Sequence, residues 1–290
     1  MEARILANTG IELSCVGLGE MPLSLKTRPT QEHAFKVVEA AIEGGMNWID
    51  TADVYCSSHE DIGHGERLST AALKALGEAG KGIVIATKGG LERPNGDWTV
   101  NGHPDHLRSA CEASLRALET DCITWYQLHA EDPKVPYADS IGALARLQQE
   151  GKIRHVGLSN VAIPEIKIAQ GILNVVSVQN RCNPFDRNSF LNGTVDYCTE
   201  QNIAFLPHSP VGGHRGHTRT IDEPTLNAVG ARYGLSPYQV CIAWLLAYSP
   251  VMFPIPGASR IESARSSAAA GSVCFSESDM REIAKAFPTK

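Results

Sequence analysis

The sequence predicts an α/β protein folded as one (β/α)8 TIM barrel over residues 1–290. Three observations carry that expectation. Short Val- and Ile-rich runs alternate with amphipathic helical segments along the whole chain. Those runs are apolar at consecutive positions, as in parallel strands covered on both faces. No Pro/Ser/Gly-rich linker divides the chain, so it reads as a single domain. Strand–helix alternation implies parallel pairing through right-handed crossovers. An open doubly wound sheet meets the same alternation, but it should carry a G-x-G-x-x-G turn after its first strand. Gly17-Leu18-Gly19-Glu20 does not continue into one, and the closed barrel is the predicted form.

Taken in order, residues 3–12 read as a hairpin outside the barrel, turning at Asn8-Thr9-Gly10. The eight strands fall at 15–18, 47–50, 83–87, 123–128, 155–158, 175–179, 204–207 and 251–255. Between them, Ala34, Val37, Val38 and Ala41 keep the spacing of one helix face. Leu107, Ala110, Cys111, Ser114, Leu115 and Leu118 do so over several turns, and Val240, Ala243, Trp244 and Ala247 repeat it. Pro104 and Pro237 suit first helical turns, the second behind an N-cap at Ser236. Gly44-Gly45 and Gly151 stand where helices should stop. Ser276-Glu277-Ser278-Asp279 approximates a capping box, opening an extra terminal helix over 276–287.

Composition narrows the function classes. Hydrophobic residues are 43% of the chain and charged ones 20%, enough apolar material for a sizeable core. The net charge is −6 with no run of Lys and Arg, which argues against nucleic-acid and anionic-membrane partners. No apolar run approaches the ~20 residues that span a bilayer, and the first residues lack the pattern of a secretory signal. Eight scattered cysteines without a C-x-x-C pair read as reduced thiols, so a cytoplasmic protein is expected. Asn192-Gly193-Thr194 then reads as a turn and not as a glycosylation site. No heptad or large apolar stripe calls for assembly, and a monomer is expected.

In a parallel barrel, chemistry sits on the loops that follow the strands. Strand two runs into Asp50-Thr51-Ala52-Asp53-Val54-Tyr55, strand three into Lys88 and strand four into His129. Strand five ends in Ser159-Asn160 and strand six in Gln179-Asn180. A carboxylate, a phenol, an amine and an imidazole thus converge on one mouth. Reduction of a carbonyl needs a hydride donor and a proton donor. A phenol is a poor acid at neutral pH unless its phenolate is stabilised. A lysine beside it favours the phenolate, and an aspartate holds that lysine charged and oriented. Tyr55 is therefore expected as general acid, Lys88 as its tuner, Asp50 as the lysine's partner and His129 as orienter of the substrate oxygen. The competing reading is structural: a buried Lys88–Asp50 pair, with Tyr55 and His129 as packing.

Asp50-Thr51-Ala52-x-x-Tyr55, Lys88, Tyr126-Gln127-Leu128-His129, Gly157-Leu158-Ser159-Asn160 and Ile255-Pro256-Gly257 together resemble the aldo-keto reductases, from near residue 3 to near residue 285. The resemblance implies a (β/α)8 barrel that binds NADP(H) across its mouth and reduces a small carbonyl substrate. It places the family's Asp–Tyr–Lys–His tetrad on Asp50, Tyr55, Lys88 and His129. It implies that Ser159, Asn160 and Gln179 hold the nicotinamide carboxamide, and that Ser209, Pro210, Val211, Gly212 and Gly213 form the pyrophosphate loop, where small residues admit close oxygens. Gly257, Ser259 and Arg260, with Arg265 further along, resemble the 2′-phosphate site at a helix N-terminus. Two positions depart from the family: His208 replaces the aromatic ring stacked on the nicotinamide, and Arg265-Ser266-Ser267 replaces Glu-Asn near the adenine.

Several residues remain. Glu20 and Met21, after strand one, and Trp98, within the long stretch 90–103, are candidate substrate contacts. Trp125 reads equally as barrel packing, and Asp53 as a solvated loop carboxylate. His59 with His64, and His208 with His214 and His217, lack a recognisable third ligand and carboxylate support, so no metal is expected. Two other functions fit the same barrel: a nucleotide-sensing regulatory subunit, and a redox-neutral dehydratase or epimerase, for which the His-rich segment is the hint.

Overall fold

The computed structural model describes residues 1–213 and 216–289; His214 of the histidine-rich segment lies outside them. An antiparallel hairpin, β1 (Ala3–Ile5) and β2 (Glu12–Ser14), precedes β3 (Leu18–Gly19), β4 (Trp48–Asp50) and β5 (Val84–Gly89). A second small hairpin, β6 (Leu91–Glu92) and β7 (Thr99–Val100), occupies the loop after β5. Then come β8 (Ile123–Leu128), β9 (Ile153–Ser159), β10 (Val175–Arg181) and β11 (Ala204–His208). The seven-stranded sheet runs β11-β10-β9-β8-β5-β4-β3, all parallel.

Residues 252–257 fill the gap between β11 and β3 as the eighth stave. They bridge Met252 to Phe205, Ile255 to His208 and Gly257 to Gly19. The sequence reading placed a regular strand at 251–255. Only isolated bridges form because Pro250, Pro254 and Pro256 withhold the N–H groups that a continuous ladder needs. The first strand is likewise displaced. Ser14 Oγ donates to the Val16 carbonyl at 2.8 Å, and parallel pairing starts only at Leu18.

The helices outside are α1 (Gln31–Glu43), α2 (His64–Ala75), α3 (Pro104–Leu118), α4 (Tyr137–Gln149), α5 (Ile163–Gln170), α6 (Asn188–Leu191), α7 (Thr194–Glu200), α8 (His217–Ile221), α9 (Pro224–Tyr233), α10 (Pro237–Tyr248), α11 (Ile261–Ala270) and α12 (Glu277–Ala286). The expected caps form. Ser236 and Gln239 close a reciprocal capping box ahead of Pro237, and Ser276 accepts the Asp279 N–H at the start of α12.

The barrel interior is packed from its N-terminal end upward. Leu6 and Leu13 of the hairpin are fully buried against Trp48, Trp125 and Phe253. Trp48 stacks on Trp125 at 5.4 Å between centroids and meets Phe253 edge-on at 6.3 Å. Such pairs add about 0.5–1.5 kcal/mol each beyond the area they bury. Both indole N–H groups are satisfied, Trp48 by the Ser14 carbonyl and Trp125 by Ser177 Oγ. The ring of Trp125 is thus core, closing the floor beneath the mouth. Gly157 is fixed by this packing, since a Cβ there would stand 2.2 Å from Ser177 Oγ.

Candidate active site

Asp50, Lys88 and Tyr55 meet where β4 and β5 end. Register brings them together: Asp50 pairs with Ala86, and Lys88 with Gln127 of β8. Lys88 Nζ donates to Asp50 Oδ2 at 2.6 Å, the Thr51 carbonyl at 2.8 Å and Tyr55 Oη at 3.2 Å. The lysine is 0% exposed, so its three donors are spent on three protein acceptors. Burial pulls its pKa down, but Asp50 and Tyr55 outweigh that and leave it above the ordinary lysine value. Burial also raises the Tyr55 phenol, with the Lys88 charge acting the other way. The lysine therefore holds its proton at neutral pH, 3.2 Å from a phenol that holds one too.

Asp50 is anchored from the far side. Its Oδ1 accepts from Gln127 Nε2 at 3.1 Å and Gln179 Nε2 at 2.8 Å. Gln127 is a positioning residue, although the Tyr126-Gln127-Leu128-His129 motif by itself assigns it no role. Its signal was there: it is polar inside an apolar strand and two residues before His129, so both point to the same face.

The His129 ring stands edge-on to Tyr55, with centroids 5.8 Å apart. Burial first, then the charge of Lys88, holds its pKa well below the ordinary value, so the ring is a neutral imidazole. Its Nδ1 is buried and has no hydrogen-bond partner among the described residues.

Ser159 and Gln179 are buried, and Asn160 sits at φ +57 beside them, a left-handed conformation that Asn tolerates. Asn160 Nδ2 donates to the His129 carbonyl at 3.0 Å and to Ser159 Oγ at 3.1 Å. His208, at the end of β11, points Nε2 at Asn160 Oδ1, 3.4 Å away. Burial and the Lys88 charge lower its pKa to about 4, so this ring is neutral as well. The next turn, 209–213, has Ser209, Gly212 and Gly213 at positive φ, and Arg181 Nη2 donates to the Gly212 carbonyl at 3.2 Å. Pro210 is buried in this turn and Val211 is half-buried. Gly257 closes the eighth stave beside Gly19, and the exposed Ser259 leads to Arg260, the N-cap of α11. Arg265, on the exposed face of α11, pairs its Nη2 with Glu43 at 3.3 Å.

Among the substrate candidates, Met21 packs beside the Ala52, Val54, Tyr55 and Leu91 cluster. Trp98 presents its ring edge-on to Tyr55 at 6.2 Å, on the β6–β7 hairpin into which the expected loop folds. Glu20 is corrected. It is 0% exposed, accepting from Thr51 Oγ1 at 2.9 Å and from Ser24 Oγ, which in turn meets His64 Nδ1 at 2.8 Å. Both oxygens are engaged by protein hydroxyls and the side chain is closed off from solvent. Asp53 is corrected too: it is 3% exposed, accepts the Val54 N–H at 2.7 Å, and is held well above the usual carboxylate range by burial. Among the described residues no group of three or more His, Cys, Asp or Glu side chains is placed to hold a metal ion. No helix among them is long and apolar enough to cross a membrane.

Burial raises Glu20 from 4.5 to about 8, with Ser24 and Thr51 opposing. The unfolded chain ionises this group near the ordinary value, while the folded chain keeps it protonated to about pH 8. Stability should fall as pH rises across that window and level off above it. Glu20→Gln removes the slope, so its denaturation midpoint should gain on the wild type as pH rises through the window. Parallel curves for the two proteins from about pH 5 to about pH 9 contradict the buried-carboxyl account.

A closed parallel barrel whose mouth holds a phenol coupled to a buried lysine defines a class of barrel oxidoreductase. Within it, the chain belongs to the aldo/keto reductase family, whose model matches residues 15–287. It is 40% identical over 223 residues to an uncharacterized oxidoreductase of Schizosaccharomyces pombe, covering 76% of this chain and 68% of that protein. Its fold matches a thermostable aldo-keto reductase solved with the inhibitor epalrestat, at 26% identity and TM-score 0.83, over 99% of this chain and 100% of the other. It also matches an aldo-keto reductase from Klebsiella pneumoniae in complex with NADPH, at 22% identity and TM-score 0.81, over 99% and 96%.

Proposed function

We propose that this protein is an NADP(H)-dependent carbonyl reductase with Tyr55 as the proton donor. The single observation that supports it most is the buried Lys88 ammonium, bonded at once to Asp50 and to the Tyr55 hydroxyl. A charged lysine favours the phenolate that proton donation leaves behind, and burial strengthens that interaction. The neutral His129 ring, edge-on to Tyr55, is placed to orient the substrate oxygen toward the phenol.

The residues present fit the cofactor. Ser159, Asn160 and Gln179 offer amide and hydroxyl groups to a carboxamide, and the Ser209–Gly213 turn offers N–H groups beside small residues. Ser259, Arg260 and the N-terminus of α11 suit a phosphate dianion. Bound there, NADPH supplies the hydride. His208 in place of a larger aromatic ring gives the nicotinamide a smaller stacking surface, and Gln179, whose Nε2 donates to Asp50, keeps its Oε1 to accept from the carboxamide.

The test is NADPH consumption with a panel of aldehydes and ketones, run beside NADH. The proposal expects NADPH binding and turnover, and an Arg260→Ala variant that loses about 1.5–3 kcal/mol of NADPH affinity while NADH affinity is unchanged. Cofactor that binds tightly and is never consumed favours the regulatory or redox-neutral function instead. Absence of binding removes all three.

A further inference from the structure

Arg93 carries a charge for which the described residues provide no counter-ion. It sits in the β6–β7 hairpin and is 5% exposed. Among the described residues no carboxylate pairs with it. The one hydrogen bond of its guanidinium among the described residues runs from Nη2 to the Cys56 carbonyl at 3.3 Å, while Nε and Nη1 are buried without a partner. A guanidinium has five N–H donors in a planar fork. Whichever hydrogen of Nη2 is used, a parallel pair of donors remains, the geometry that a carboxylate accepts. Leaving such a group desolvated and unsatisfied is costly, and native proteins rarely do so without a reason.

Its location supplies the reason. Cys56 directly follows Tyr55, and the guanidinium lies 4.0 Å from the centroid of the Trp98 ring, which itself meets the Tyr55 ring edge-on. Arg93, Trp98 and Tyr55 thus form one contiguous wall. The cofactor does not explain it. The turn fitted to the pyrophosphate follows β11, the seventh stave, whereas the Arg93 hairpin follows β5, the third, on the opposite side of an eight-stave ring. What remains is the substrate side of the mouth.

We infer that Arg93, roofed by Trp98, is an oxyanion subsite, and that the carbonyl substrate carries a carboxylate at its end remote from the reacting carbon. The inference rests on the carbonyl-reduction reading. Trp98 is 46% exposed and lies over the guanidinium, so an entering carboxylate meets the edge of the fork and shifts the ring above it. The aldehyde end then points along the Trp98 ring toward Tyr55.

The test compares benzaldehyde, 4-carboxybenzaldehyde and 4-formylphenyl phosphate as substrates with NADPH, in wild type, Arg93→Met and Arg93→Lys. The wild type should favour the carboxylate over benzaldehyde by at least about tenfold in kcat/KM, carried by KM. Arg93→Met should abolish that preference while leaving benzaldehyde within about twofold, and Arg93→Lys, which keeps charge but not fork, should retain part of it. A preference for the phosphate ester that Arg93→Met also abolishes upholds the oxyanion subsite but overturns the carboxylate assignment. Equal kcat/KM for all three substrates in the wild type, or an equal loss on all three in Arg93→Met, overturns the inference, the second marking a structural clamp. If no carbonyl turns over, the reduction reading fails first, and titration with benzoate decides the subsite separately. Trp98 is the exposed indole, and a fluorescence change that Trp98→Phe removes reports on it. A saturable change lost in Arg93→Met upholds the site, and no change overturns it.

Discussion

Tyr55→Phe should lower kcat for carbonyl reduction by about 10³-fold while leaving the fold and NADPH affinity unchanged, because general acids contribute in that range. The ring is 7% exposed and packs against Trp98 and His129, contacts that Phe keeps. Only the hydroxyl is lost, and Lys88 retains its bonds to Asp50 and the Thr51 carbonyl. A variant within about tenfold of the wild type removes Tyr55 as proton donor and moves that role to solvent.

Lys88→Met should be the most destabilising single change at the site, by about 3–5 kcal/mol, because it strands the Asp50 carboxylate at 2% exposure without its cation. Gln127 and Gln179 still donate to Oδ1, but Oδ2 loses its 2.6 Å partner. The double variant Asp50→Asn/Lys88→Met removes both charges and should recover much of the loss, since two neutral groups of similar volume fit the same space. Urea unfolding of the three proteins checks it. A single variant within about 1 kcal/mol of the wild type, or a double variant no better than the single, contradicts the buried-pair account.

Parallel strands buried on both faces announce themselves as consecutive apolar residues, so most of the barrel was legible in the sequence. The eighth stave was harder. Its apolar run is real, but Pro250, Pro254 and Pro256 reduce it to bridges that pattern alone does not distinguish from a strand. The tetrad was legible because strand ends in a barrel converge on one mouth. Burial was not. Glu20 and Asp53 each follow a strand, where a polar residue reads as a mouth or solvated loop group, yet both fold inward onto hydroxyl or backbone partners. Those partners, Ser24, Thr51 and the Val54 N–H, are ordinary residues that acquire meaning only in three dimensions. Arg93 was missed for the converse reason. Its significance lies in what it fails to contact, and a missing partner leaves no trace in sequence.

Hydride delivery to a carbonyl carbon is tested by following the hydride itself. NADPH deuterated at the transferable position of its nicotinamide is incubated with the protein and a carbonyl that it consumes, and the product is analysed by mass spectrometry and NMR. The product should be an alcohol carrying one deuterium on the former carbonyl carbon, formed in step with NADP⁺. Deuterium that stays on bound cofactor, with no alcohol formed from any carbonyl tested, contradicts hydride delivery.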